Sequence, residues 1–259
     1  MKRFQIFIIK CWKKLLSAYY FVGGARVLSA ELTNRGLIRE RNEDAVLSRP
    51  ALGLWAVADG MGGHKAGDVA SKKVVEALDN MPKAKSYAEF LNQIETCLQE
   101  TNTALNTWSH EHLGGQTVGS TVAVLVKDDK QVSCLWVGDS RVYRYRRGQF
   151  VALTEDHTIA FQLVDEGTIS LEEAEDHPGK HILTQAIGSG TCKVAMQHYS
   201  LLKGDRYLLC SDGLYGELSA DEMVAGMKDL TPQEAVAVLL DEALRKGARD
   251  NVSIIIVDT

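Results

Sequence analysis

The stretch Leu54 to Asp68, LWAVADGMGGHKAGD, limits what this chain can fold into, because five apolar residues run into an acid, a glycine cluster and then a helix start. Leu54 to Ala58, closed by Gly53 and Asp59, is short and punctuated enough to be a buried strand. Asp59 then sits at a strand end. Glycines 60, 62 and 63 open backbone angles closed to other residues and let another group approach the main chain. The helix is expected to start near Ala66. A glycine-rich turn between strand and helix can cradle phosphate, but neither G-x-G-x-x-G nor G-x-x-x-x-G-K-[ST] occurs here. A carboxylate at such a turn repels phosphate unless a hard divalent cation lies between them, which would make Asp59 a ligand. Alone, the same Asp-Gly pair is equally the start of an ordinary turn.

Composition narrows the class. The chain has 259 residues, 45% apolar and 24% charged, which suits one large core. A formal charge of −5 argues against a nucleic-acid surface. Cysteines 11, 97, 134, 192 and 210 form no C-x-x-C pair or zinc-type spacing, and an odd number of this kind fits reduced thiols in a cytoplasmic setting. Cys134 and Cys210 fall inside apolar runs and are expected in the core.

Residues 1–24 stand apart from 25–259. They mix five Lys and Arg with many apolar side chains and contain no acid. The longest uncharged run, Leu15 to Ala25, is about half the ~20 residues that span a bilayer, and Gly23-Gly24-Ala25 imitates a signal-peptide cleavage site only loosely. This appendage is expected to be peripheral; an amphipathic helix on an anionic membrane surface is one reading and docking on a partner another.

From Val27 the elements follow in order. Strands are expected at Val27 to Leu32 and Ala45 to Leu47. Ala66, Ala70, Val74 and Leu78 repeat every four residues, and Leu91 through Trp108 carries a longer apolar face, so two helices follow, broken at Met81-Pro82 and Gly114-Gly115. His110 and His112 near that second end suit a solvated terminus better than a metal. Ser120 to Val126, Val132 to Val137, Val142 to Tyr145 and Phe150 to Leu153 are spaced as antiparallel strands. Residues 157–176 look like a polar helical flap. Tyr207 to Ser211 and Val252 to Val257 are strands around helices near 219–228 and 231–246.

Asp59, Asp139, Asp212 and Asp250 each flank an apolar strand at its end. If those ends share one rim, the carboxylates converge, repel, and rise in pKa until protons or cations neutralise them. Two or three divalent ions would resolve the repulsion.

Seven motifs, Gly36 to Asp44, Ala58 to Gly63, Gly119-Ser120-Thr121, Val137 to Arg141, Leu153 to His157, Ser211-Asp212-Gly213 and Arg249-Asp250-Asn251, occur in the order found in the PPM/PP2C metal-dependent protein serine/threonine phosphatases. The chain resembles their bacterial branch, including the flap from Gln162 to Pro178. The resemblance implies an α+β fold, a four-layer α-β-β-α sandwich of two antiparallel sheets, with two Mn²⁺ or Mg²⁺ ions in a cleft at one end and a third, weaker ion. By position it implies that Asp59 bridges two ions, that the Gly60 carbonyl and Glu43 serve one largely through water, and that Asp212 and Asp250 hold the other. Asp139 with Asp212 matches the third ion. Asp44 and Asn251 stand behind the ligands, and Arg39 grips the substrate phosphate, for which a guanidinium fork is suited.

The implied reaction is hydrolysis of phosphoserine and phosphothreonine on proteins, with no covalent intermediate. A water shared by two cations about 3.5–4 Å apart can attack phosphorus near neutral pH, while the cations and Arg39 stabilise equatorial charge. No cysteine opens a C-x5-R loop. Met61 stands where some members carry a histidine proposed to protonate the leaving alkoxide, so another donor is needed, a metal-bound water or His64, although His64 is rather expected to point outward as a surface residue. A catalytically silent regulatory module and a small-molecule phosphomonoesterase on the same fold are the alternatives. The expected partners are phosphoproteins made by a cognate Ser/Thr kinase, with no nucleic acid, and the expected state is a monomer.

Overall fold

In the computed structural model, which describes residues 19–22, 25–62 and 66–259, alternation of side chains along the central strands decides how the layers stack. The elements run β1 (Tyr19–Val22), β2 (Ala25–Asn34), β3 (Asp44–Arg49), β4 (Leu54–Gly62), α1 (Gly67–Asp79), α2 (Tyr87–Leu113), β5 (Val118–Ser120), β6 (Val122–Lys127), β7 (Gln131–Val137), β8 (Arg141–Arg146) and β9 (Gln149–Ala152). They continue as α3 (Ile159–Asp165), α4 (Leu171–Glu175), β10 (Ala195–Ser200), β11 (Arg206–Cys210), α5 (Asp212–Tyr215), α6 (Ala220–Met227), α7 (Pro232–Lys246) and β12 (Val252–Asp258). One sheet has the order β1-β2-β12-β11-β8-β9 and the other β10-β7-β6-β4-β3, with β5 paired to the far end of β4. Every pairing is antiparallel.

Trp55 and Val57 of β4 face Tyr207, Leu209, Ile255 and Val257 between the sheets. Their neighbours Leu54, Ala56 and Ala58 turn the other way, onto Val74, Leu78, Ile94 and Leu98 of α1 and α2. On the second sheet Leu208, Ile254 and Ile256 turn outward onto Val236 and Leu239 of α7. Three cores therefore separate four layers, the α-β-β-α sandwich expected. Cys210 and Cys134 are fully buried within them.

Helix ends fall where the sequence punctuates them. Ser86 caps α2 by accepting from Glu89 N, and Gly114 closes it at φ 61° in the left-handed region. Thr231 and Glu234 form a reciprocal capping box on α7. His112 stacks on Trp108 and approaches its carbonyl with Nδ1, so the two terminal histidines finish a helix and gather no ligand set.

Two features depart from the sequence pattern. Strand β10, absent from the expected elements, pairs with β7 at an edge, where half of its residues are exposed and none is fully buried, which blurs the apolar signal. Tyr19–Val22, within the segment set apart as 1–24, pair with Ala25–Leu28 as an edge strand, while residues 1–18 lie outside the described residues. No helix among the described residues is long and apolar enough to cross a membrane.

Ile255 is fully buried between the sheets. Ile255→Ala should lower the unfolding free energy in urea by about 2–5 kcal/mol. The exposed Val151→Ala should stay within about 0.5 kcal/mol of the parent. Equal effects would mean that the inter-sheet core is not what holds the layers.

Candidate metal centre

Strand register places the first two acids together, since Asp44 of β3 pairs directly with Asp59 of β4. Beyond Asp59, strand β4 leaves β6 and pairs Gly60–Gly62 with β5. The Asp59 carbonyl takes bonds from Thr121 N at 2.8 Å and Ser120 Oγ at 3.0 Å, and Thr121 Oγ1 accepts from Asp59 N at 3.1 Å. With its backbone held on both sides, Asp59 directs its carboxyl into the cleft.

Glycine at 60 is required by space. A Cβ there would lie 2.0 Å from Gly67 O and 2.6 Å from Glu43 O. From the other side, a Cβ on Gly67 would meet Gly60 O at 2.7 Å and the Glu43 carboxyl carbon at 2.9 Å. The Gly60 carbonyl and the Glu43 carboxyl thus border one small space at the start of α1.

The second sheet brings the other pair. Asp212 begins α5 directly after β11, and Asp250 precedes β12, the antiparallel neighbour of β11. A Cβ on Gly213 would sit 2.0 Å from Asn251 O, so the two turns touch through backbone. Asn251 ties this pair to the first. Its Oδ1 accepts from Glu43 N at 2.8 Å, and its Nδ2 donates to Arg35 O and Arg41 O, each at 2.8 Å.

Behind the cleft lies a hydroxyl chain. Ser211 Oγ donates to Asp44 Oδ2 at 2.8 Å and accepts from Ser253 N at 3.0 Å, and Ser253 Oγ shares a 2.7 Å bond with Thr33 Oγ1. Asp139 is buried on the remaining side. Tyr215 OH donates to its carbonyl at 3.0 Å, while Arg141 lies 3.9 Å over the Tyr215 ring and binds both oxygens of Asp156, at 2.9 and 2.7 Å. Arg141, Asp156 and Ser211, which lie inside the quoted motifs with no role expected of them, and Ser253, which lies outside every motif, support the acids.

Burial and mutual repulsion dominate the electrostatics. Burial pushes the Asp44 carboxyl up to about 7 against two lowering hydrogen bonds, with the charges of Asp212 and Asp250 adding to the rise. Asp59 is held well above the usual carboxylate range by burial and then by Asp44, Asp212, Asp139 and Asp250. Burial followed by Asp212 raises Asp139, and burial followed by Asp250 raises Asp212. Asp44 Oδ1 and Asp212 Oδ1 are buried without a partner.

Arg39, Glu43, Asp59, Gly60, Asp139, Asp212, Asp250 and Asn251 all line one cleft of about 1090 Å³, whereas Asp44 stands behind it. Met61 also lines it, and among the described residues His181, just past the expected flap, is its single imidazole. Gly63 and His64 lie outside the described residues. Among the described residues no three donor side chains are closed onto one point, so the acids converge without forming a finished cage. An all-oxygen donor set with raised carboxyl pKa values and orphaned oxygens fits hard divalent cations such as Mn²⁺ and Mg²⁺. Arg39 donates Nη2 to Asp250 Oδ2 at 2.5 Å, which raises its pKa further.

Comparison with known proteins places this cleft in context. A family model described as protein phosphatase 2C matches residues 39–251. The serine/threonine phosphatase stp of Listeria monocytogenes is 35% identical over 235 residues, 87% of this chain and 93% of that protein. The serine/threonine protein phosphatase PstP of Mycobacterium tuberculosis is 33% identical over 229 residues, 88% of this chain, but the chain spans only 44% of its length. The catalytic domain of PstP in complex with 2 manganese ions superposes with a TM-score of 0.80 at 32% identity, covering 90% of this chain and 97% of that one.

The raised Asp44 carboxyl predicts a pH dependence for chelator-treated protein. Its folded value of about 7 exceeds the ordinary value near 4, so stability is full below that lower value and is lost as pH rises through the folded one. Asp44→Asn should remove roughly 4 kcal/mol of that loss between about pH 4 and about pH 8. Melting curves with chelator across this window test it; parallel profiles for parent and variant would contradict the assignment.

Proposed function

Because the chain belongs to the protein phosphatase 2C family, we propose that its cleft hydrolyses phosphoserine and phosphothreonine on proteins, with divalent cations held by the converged acids. The observation that carries the reading is the convergence of Asp59, Asp139, Asp212 and Asp250 from separate strand ends onto one cleft beside Arg39. Asp59, the Gly60 carbonyl and Glu43 are assigned to one ion, Asp59 with Asp212 and Asp250 to a second, and Asp139 with Asp212 to a third. Bound Mn²⁺ or Mg²⁺ would supply the positive charge and the lowering of water pKa that phosphate hydrolysis needs.

The residues of the chain do the rest. Asp250 engages Arg39 through Nη2 alone, and among the described residues the remaining nitrogens of the fork have no partner. They are left to take phosphate oxygens, and Asp250 sets the angle at which they do so. Asn251 holds both ends of the Arg39 loop while accepting from Glu43 N, so the phosphate grip and the acid cluster share one anchor. In the reaction a water oxygen joins phosphorus, the ester P–O bond breaks, and the seryl or threonyl oxygen leaves with a proton. Met61 has no proton to donate. None of the four described cysteines lines the cleft, in accord with direct transfer to water.

A silent binding module is disfavoured because every acid expected of a ligand is present and faces the cleft. The substrates are proposed to be products of a cognate Ser/Thr kinase in the cytoplasm. The basic, apolar residues 1–24 are proposed to contact an anionic membrane surface, which liposome sedimentation of chains with and without them would test.

Aryl-phosphate hydrolysis measured with Mn²⁺ and with chelator tests the mechanism. Chelator should abolish turnover, and Asp212→Asn should lower kcat by about 100-fold or more. Arg39→Ala should lower kcat/KM by about 10- to 100-fold. Robust turnover in chelator would sink the metal-dependent reading.

A further inference from the structure

The loop joining β2 to β3 is a backbone-anchored arch that carries two large apolar side chains into solvent. Asn251 Nδ2 binds the carbonyls of Arg35 and Arg41 at either end, and Leu37 N donates to Ala248 O at 3.0 Å. Gly36, at φ +75°, is pressed so close that a Cβ would stand 2.1 Å from Asp250 O. None of these anchors uses the side chain of Leu37 or Ile38. Those side chains are 58% and 70% exposed, whereas the Leu and Ile of the three cores are buried.

Position decides what such a patch can meet. Leu37 and Ile38 immediately precede Arg39, so their Cα atoms lie within about 8 Å of that of the phosphate-gripping residue. On the flap side Ile182, 52% exposed, lines the same cleft. A stable self-association needs about 800 Å² per partner, more than two side chains on a narrow arch supply. Arg35, Glu40 and Arg41 flank them in the sequence, so the apolar pair on the arch runs directly into Arg39, which lines the cleft.

We propose that Leu37 and Ile38 form a docking shelf for a bulky apolar side chain next to the phosphorylated residue, so that the preferred substrates are phosphoprotein segments of that composition. This rests on the protein-phosphatase reading of the cleft. A phosphoserine or phosphothreonine held by Arg39 brings the adjoining peptide residue over the arch, and an apolar side chain there covers Leu37 and Ile38 from water. A small or polar neighbour leaves them exposed. One partly covered apolar contact discriminates by roughly tenfold, the low end of what hydrophobic pockets achieve.

The test compares two phosphothreonine peptides of equal charge and length, differing only in Leu or Ser beside the phosphorylated residue. Assays use the full chain with Mn²⁺, and the ratio of the two kcat/KM values is taken within each enzyme, which cancels any general effect on Arg39. The parent should favour the Leu peptide by about tenfold, and the combined Leu37→Ser, Ile38→Ser variant should bring the ratio near one. A parent ratio near one, or a preference that survives in the variant, overturns the shelf while leaving the phosphatase reading intact. A concentration-dependent dimer of the parent that the variant abolishes would assign the patch to a second copy and also overturn it. Aryl-phosphate turnover with neither peptide hydrolysed would sink both the protein substrate class and the shelf.

Discussion

Mutual repulsion among buried carboxylates is the constraint around which the rest of the structure is arranged. Asp44, Asp59, Asp139 and Asp212 all have raised pKa values, with burial first and neighbouring acids behind it. Such a cluster disfavours the folded state unless protons or cations neutralise it. The sandwich supplies what holds it together, because the opposing cores of apolar side chains fix the strand ends where the acids sit. Stability is thus gathered in the body of the molecule and partly given back at one rim. A site that gains stability on binding cations follows directly.

The acids are positioned mostly by neutral groups. Backbone contact at Gly60, Gly67 and Gly213 brings turns from separate elements closer than any side chain permits. Asn251 then joins Glu43, Arg35 and Arg41 through three bonds of 2.8 Å, linking the two sheets across more than two hundred residues of sequence. Charged support comes from Arg39 on Asp250 and, at the flap side, from Arg141, which binds Asp156 with both partners largely buried and stacks on Tyr215. That ion pair connects the start of the flap to the turn that carries Asp212.

The arch before Arg39 shows the same division between anchor and working surface. Its backbone is bound at Arg35, Leu37 and Arg41, and Asp250 meets the guanidinium. Because Asp250 is also proposed to hold an ion, phosphate grip and cation binding would share one carboxylate.

Much of this was legible in the chain itself. The apolar runs at 54–58, 207–211 and 252–257, the helical spacing through Leu78 and Trp108, and the acids at strand ends are local signals, since side-chain period and punctuation need no partner to be read. What only the tertiary structure decided is how these pieces meet: that Asp44 stands directly opposite Asp59, that β4 continues onto β5, that β10 closes an edge, and that Ser211 and Ser253 sit behind the acids. Register and close backbone approach join residues far apart in sequence, and no local pattern encodes a distance between them. The sequence by itself determined which donors exist and which strand each one ends; packing of two twisted sheets decided that their oxygens would face one another.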